Sequence, residues 1–213
     1  MHIMHIAVIG AGNIGRTLGG AWMRADHQVS FGVRDPAAAS AQEARAELGE
    51  RARVVPIAES LESAQVVVLA LPGAAVDEFL ATYGPALSGK VVVDAANRGF
   101  GGSGPMNSLD AIRARTEPSG VVRAFNSVGW ENLADPTFDG VMADLLYCAT
   151  PTARAVAEEL IAGVGLRPVL VGDLDQVHLV DTLTGLWAAL AYGQGRGRHL
   201  AFKVLERSSG AHA

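Results

Sequence analysis

At 213 residues, 49% of them hydrophobic and 18% charged, the chain has the apolar content of one well-buried domain and falls short of the length expected for two. A formal net charge of −5, with the only basic cluster at Arg196-Gly197-Arg198-His199, argues against nucleic-acid binding. One cysteine, no leader-like start and no run of about 18 apolar residues exclude an internal disulfide and a helical membrane span, and make the cytoplasm the expected location.

Along the chain, apolar runs of strand length alternate with segments of helical periodicity. The pattern predicts a strand at 4–9, a helix at 14–24, a strand at 29–33, a helix at 37–48 and strands at 53–55 and 66–71. It continues with a helix at 75–83, a strand at 91–94, a helix at 107–115, strands at 121–125 and 144–148, a helix at 152–162 and a strand at 168–171. Several strands are valine-rich and apolar on both faces, as parallel strands covered by helices on each side read. The stretch "RGFGGSGP", 98–105, is the longest glycine-rich loop, and reads as either a ligand-closing loop or a plain connection. After Val171 the pattern changes: Leu174, Val177, Val180, Leu183, Leu186, Trp187 and Leu190 mark one stripe of a long helix, and 198–206 is expected to form a second, shorter one. Cys148, within the apolar run Leu145 to Ala149, reads as a buried structural thiol.

Gly10-Ala11-Gly12-Asn13-Ile14-Gly15 matches G-x-G-x-x-G, and it directly follows a predicted strand and opens a predicted helix. In that setting Gly10 permits the tight turn, Gly12 lets the backbone approach a pyrophosphate, and Gly15 packs the helix on the strand. The free N–H groups of the helix start then face phosphates. The expected fold class is therefore α/β: a doubly wound parallel sheet (Rossmann) with a small C-terminal strand-helix extension. One NAD(P)-binding domain spans 1–213, with 174–213 as its helical C-terminal part.

About 20 residues beyond such glycines, NAD sites commonly carry a carboxylate for the adenosine 2′-hydroxyl. Here Val33 ends the second strand and Arg34 follows it, which favours NADP over NAD, because a guanidinium pairs with a 2′-phosphate. Asp35 would reach the ribose or pair with Arg34. Ligands of open parallel sheets sit beyond the carboxyl ends of the strands, where this chain places Leu71 and Pro72, Ala95 to Asn97, and Asn126-Ser127-Val128-Gly129. Asn97 and Asn126 read as groups that orient a carboxamide or a second ligand, or as turn caps.

Taken with "VIGAGNIG", "FGVRDP", "LALPGAAV", "RAFNSVGWENLADPTF", "GLRPVLVG" and "DTLTGLWAALAY", nearly the whole chain resembles the NADP-dependent oxidoreductase family that includes the NADPH:coenzyme F420 (deazaflavin) reductases and, more distantly, the reductase domains of membrane ferrireductases. The resemblance implies that Gly12, Asn13 and Ile14 line the pyrophosphate and that Arg34 takes the 2′-phosphate. It sets Leu71 and Pro72 along the nicotinamide ribose, with Asn126 to Gly129, Thr182 and Thr184 bounding an acceptor pocket. Two departures stand out: Val33 where members often carry serine, and Asn126 where the archaeal deazaflavin enzymes tend to carry histidine.

No histidine (His2, His5, His27, His178, His199, His212) and neither lysine (Lys90, Lys203) is expected at the crevice, and no cluster has zinc-ligand spacing. That set favours hydride transfer between NADPH and a planar small-molecule acceptor, either the deazaflavin F420 or a flavin, because ring-to-ring transfer asks the protein mainly for alignment. The alternatives are an NADP-binding redox sensor without turnover, and a reductase of a small carbonyl or imine that would use Tyr192 or Asp181. Small residues around the late helix, Thr184, Gly185, Ala188, Ala189 and Ala191, lead us to expect a homodimer with that helix at its interface.

Overall fold

The computed structural model describes residues 3–49, 51–99 and 104–207. In chain order these form β1 (His5–Ile9), α1 (Asn13–Arg24), β2 (Gln28–Val33), α2 (Ala39–Leu48), β3 (Arg53–Pro56), α3 (Ile57–Glu62), β4 (Val66–Leu69), α4 (Val76–Tyr83) and β5 (Val91–Asp94). There follow α5 (Leu109–Arg115), β6 (Gly120–Arg123), α6 (Trp130–Ala134), β7 (Thr137–Phe138), β8 (Val141–Met142), β9 (Asp144–Ala149), α7 (Arg154–Val164), β10 (Arg167–Gly172) and α8 (Val177–Ala188). A π turn, Ala189–Gly193, extends α8.

The main sheet runs β3-β2-β1-β4-β5-β6-β9-β10, and β7 pairs only with β8. The strand order reverses between β1 and β4, which opens the crevice where such sheets bind ligands. Alternation along each strand feeds two cores. Ile6 and Val8 of β1 join Trp22, Phe31 and Leu160 on one face, while Ala7 and Ile9 join Leu61, Leu80 and Ile112 on the other. Trp22 fastens α1 to α7 by donating its indole N–H to the Leu160 carbonyl at 2.9 Å, and its ring meets Phe125 edge-on at 5.8 Å.

All eight expected strands form, with one change of direction. β9 runs antiparallel to β6, with Arg123 opposite Cys148, and β10 runs parallel to β9. The physical reason is the connection: α6 and the β7–β8 hairpin do not cross the sheet as a long helix would, so the chain re-enters from the end where it left. The short helices α3 and α6 and the hairpin were not anticipated, being too brief to show a period.

The second C-terminal helix expected at 198–206 does not form. Gly195 and Gly197, both at positive φ, turn the chain after α8 into an extended strap. Asn132 donates its side-chain N–H to the carbonyls of Arg198 and Leu200 at 2.8 and 3.0 Å, and Trp187 donates to Leu200 at 2.8 Å. Arg198 forks onto Glu131 at 2.6 and 3.0 Å and lies over the Trp187 ring. Of the 98–105 loop, residues 100–103 lie outside the described residues, as do His2 and His212. The base of that loop is closed by Arg98 N–H donating to Met106 at 2.9 Å.

Buried Asp144 pins the strap. It accepts a forked pair from Arg167 at 2.8 and 2.7 Å, Lys203 Nζ at 2.8 Å and Val204 N–H at 2.7 Å. Burial by itself would raise its pKa, but these donors outweigh burial and hold the carboxyl far below the usual carboxylate range. A depressed folded pKa contributes stability in full above the unfolded value of about 3.9, and the contribution fades as pH falls through the folded value. Asp144→Asn is therefore expected to cost about 2–4 kcal/mol at pH 7 by urea unfolding, with the gap between the two proteins closing below about pH 4.

Candidate functional site

The glycine turn between β1 and α1 is shaped by contact on one side and openness on the other. Gly10 sits at φ +107°, and a Cβ there would come within 2.5 Å of the Ala70 carbonyl oxygen. A Cβ on Gly15 would collide with the Gly10 carbonyl, so α1 can approach the turn only with glycine at that position. Gly12, by contrast, faces open space and caps α1 without a side-chain acceptor, and the first turn of α1 carries no acidic residue. The helix start is thus left with N–H groups for an anion. The Asn13 side chain is engaged locally, accepting from Arg16 at 3.0 Å. Arg16 also donates to Ala11 O and ties α1 to α2 through Glu43 and Glu47.

A cleft of about 610 Å³ opens from this turn, and the structure brings Gly10, Ala11, Gly12, Val33, Arg34, Leu71 and Pro72 together along it. Ile14 and Gly15 stand in the first turn of α1 just behind. The Arg34 side chain is 78% exposed, and its carboxylate neighbour Glu78 is 3.7 Å away. Asp35 turns back on its own backbone, accepting from Ala37 N–H at 2.8 Å. Sequence reasoning missed two features of this cleft. Phe79 and Tyr83 on α4, with ring centroids 5.5 Å apart, form an aromatic wall. Ser40 adds a hydroxyl from α2, whose N-cap Ala38 leaves the helix start without a side-chain cap.

Beyond β5 and β6 the site is dense and charged. Ala95, Asn126, Ser127 and Val128 are buried, and Asn97 is partly so. Beneath them the fully buried Arg123 guanidinium pairs with Asp94 at 3.1 Å and with Asp181 of α8 at 2.8 Å. It also donates to Ala96 O at 2.5 Å and Asn97 Oδ1 at 3.0 Å. Asn107 completes Asp181 at 2.6 Å, and Ser108 N–H completes Asp94 at 2.7 Å. Burial pushes the Asp94 carboxyl up, and Arg123 with the Ser108 and Ala96 N–H groups works against that push. This cluster had a signal in the sequence: an arginine and an aspartate ending two otherwise apolar strands, "VVR" and "VVVD", and an aspartate within an apolar helix stripe.

The late-helix residues are arranged differently from the expected acceptor wall. Thr184 is fully buried and donates to the Val180 carbonyl, whereas exposed Thr182 donates to the His178 carbonyl, because two residues along a helix turn to different sides. A Cβ on Gly129 would point at Glu131, Trp187 and Arg198, so this glycine borders the strap. The Cys148 thiol is buried, and burial together with the charges of Asp175 and Asp181 pushes its pKa up to about 11, as suits a structural thiol.

Comparison with known proteins bears on this architecture. Residues 5–98 match the family described as NADP oxidoreductase, coenzyme F420-dependent. That match contains "VIGAGNIG", "FGVRDP" and "LALPGAAV", the blocks that build the glycine turn and the cleft. Over 95% of this chain and 100% of the other, the fold is similar to a structure from Arthrobacter sp. FB24 provisionally described as an F420-dependent NADP-reductase, at 23% identity and TM-score 0.80. The hypothetical protein SMa0349 from Sinorhizobium meliloti is 26% identical, with TM-score 0.69 over 81% of this chain and 87% of that one. A pyrroline-5-carboxylate reductase from Coxiella burnetii shares the fold at 18% identity and TM-score 0.65, over 91% of this chain and 67% of its own. No helix among the described residues is long and apolar enough to cross a membrane.

Proposed function

We propose that the protein is a cytoplasmic NADP(H)-dependent oxidoreductase that moves a hydride between NADPH and a planar acceptor, with the deazaflavin F420 as first choice and a flavin as second. The observation that carries this reading is the cleft, with an uncapped helix start at Gly12 at one end and at the other the exposed Arg34 guanidinium, held by a solvent-screened contact with Glu78. Those two ends match the two phosphate groupings of NADP. Ser40 supplies a hydroxyl in place of the one lost at Val33, and Tyr83, backed by the buried Phe79 ring, offers an apolar surface for the adenine. Bound there, NADPH supplies the hydride. The chain's own part is to hold the cofactor, align the acceptor and keep water out. Near the crevice Asp181 is engaged by Arg123 and Asn107, and the Tyr192 hydroxyl and Glu131 by Arg198. Such commitments suit alignment more than proton transfer.

The test of the reaction is a stopped-flow trace with NADPH, and with NADPH carrying deuterium at the transferring position, against F420, FMN and a ferric chelate. Fast oxidation by F420 with a primary isotope effect is expected. Tight NADPH binding with no oxidation by any of the three would point to a redox sensor.

Cofactor choice is tested at Arg34. Arg34→Ala should weaken NADPH binding by about 1.5–3 kcal/mol and leave NADH nearly untouched, as read by fluorescence titration. Equal losses for both would count against the assignment.

We further propose a homodimer formed through α8. Thr184 and Ala191 are buried within the subunit, but Leu179 and Leu186, seven residues apart, stand 47% and 48% exposed on one face. Light scattering at micromolar concentration should give twice the chain mass, and Leu186→Glu should shift it to the monomer.

A further inference from the structure

We propose that Arg123 is a positioning residue that sets the nicotinamide half of the cofactor site by joining α8 to the ends of β5 and β6. This rests on the proposed NADP(H) binding and takes Asn97 and Asn126, at the carboxyl ends of the strands, as the groups that orient the nicotinamide carboxamide.

The Arg123 and Asp94 side chains are 0% exposed and Asp181 is 13% exposed. An ion cluster this deep is weak support for stability as such, since well-packed apolar residues would serve as well or better. What it supplies is geometry. Nη1 grips the end of β5 through Asp94 and the Ala96 carbonyl, Nη2 takes Asn97 Oδ1 and Asp181, and Nε returns to Asp181 at 3.0 Å. Only a planar fork can hold those directions at once.

Two features next to it need such a hold. Phe125, between Arg123 and Asn126, lies at φ +66°, a left-handed backbone that bulky residues rarely adopt and that persists only where the surroundings enforce it. Asn126 points its amide N–H group at Asp94 O, Ala96 O and Asn97 Oδ1 at 3.4–3.5 Å, while its buried Oδ1 has no donor among the described residues. Asn97 in turn donates to the Asn126 carbonyl at 3.4 Å. The amides of Asn97 and Asn126 therefore form one unit braced from below by Arg123. Asp181 extends the brace to α8, so a shift of that helix is transmitted to the crevice floor.

The sheet order lets the two halves of the cofactor be read separately. Arg34 follows β2, which β1, β4 and β5 separate from β6 and Arg123. The experiment compares NADPH with adenosine 2′,5′-bisphosphate, which carries the 2′-phosphate and lacks the nicotinamide, by calorimetric titration of the intact protein. Arg123→Lys keeps the charge and loses the fork. It should weaken NADPH about tenfold or more, as small misplacements do, with the bisphosphate changed less than about twofold. Asp181→Asn, which leaves the Asp94–Arg123 pair intact, should show the same selective loss at about threefold, and it decides the matter if Arg123→Lys fails to fold. A parallel fall for both ligands, or no fall for either, would overturn the proposal and leave Arg123 with a purely structural role. Because the readout is binding, it stands even if F420 proves not to be the acceptor. Failure of the wild-type protein to bind either ligand would instead overturn the cofactor reading itself.

Discussion

A single guanidinium shared by two carboxylates at the polar end of the sheet is the constraint around which the rest is arranged. Six parallel strands point their carboxyl ends in one direction, and the loops that leave them would otherwise be joined only by their own backbones. Arg123 binds three of the pieces, the end of β5, the turn holding Asn97, and α8, into one body. Its burial makes the guanidinium the member that cannot be spared: without it two carboxylates would share a low-dielectric interior with no cation between them.

The site consequently has two mechanical characters. Beyond β2, Arg34 is exposed and loosely held, and the cleft walls are a helix start, an aromatic pair and a serine. Its carboxylate neighbour, Glu78, is itself exposed, so water screens the contact. On the other side the residues are buried, bonded to one another and held against backbone strain at Phe125. The strand order puts the exposed, loosely held side chain and the buried, cross-braced cluster on opposite sides of the β1–β4 switch point.

Much of this was legible in the sequence wherever a strong period or a special backbone position spoke for itself. Apolar runs of strand length announced every strand of the main sheet, and the glycines of the first turn were readable because Gly10 and Gly15 have no room for a side chain. The direction of β9 was not legible, since an apolar strand reads the same either way and only the length of its connection tells. The strap was misread as a helix for a different reason. Leu200, Phe202 and Val204 alternate with period two, the pattern of an extended segment and not of a helix. Thr182 and Thr184, expected together at the acceptor pocket, face different sides of α8, as residues two apart on a helix do.

The pairing of Arg123 with Asp181 was beyond sequence reasoning for a further reason: the two residues are 58 positions apart, and each looks anomalous only alone. An arginine in an apolar strand and an aspartate in an apolar helix stripe are each costly, and the costs cancel only in combination. The same logic extends to the strap, where Arg198 and Glu131, 67 positions apart, form a second such pair beside Trp187 and Gly129. In this pair the main influence on Glu131 is the Arg198 hydrogen bond, which lowers its pKa and keeps it ionised. The chain therefore fastens α8 at two points by the same device. Asp181 ties its middle to the sheet, and the strap ties its C-terminal end to α6, so that the helix bordering the crevice is fixed at two points while its outer face remains uncovered.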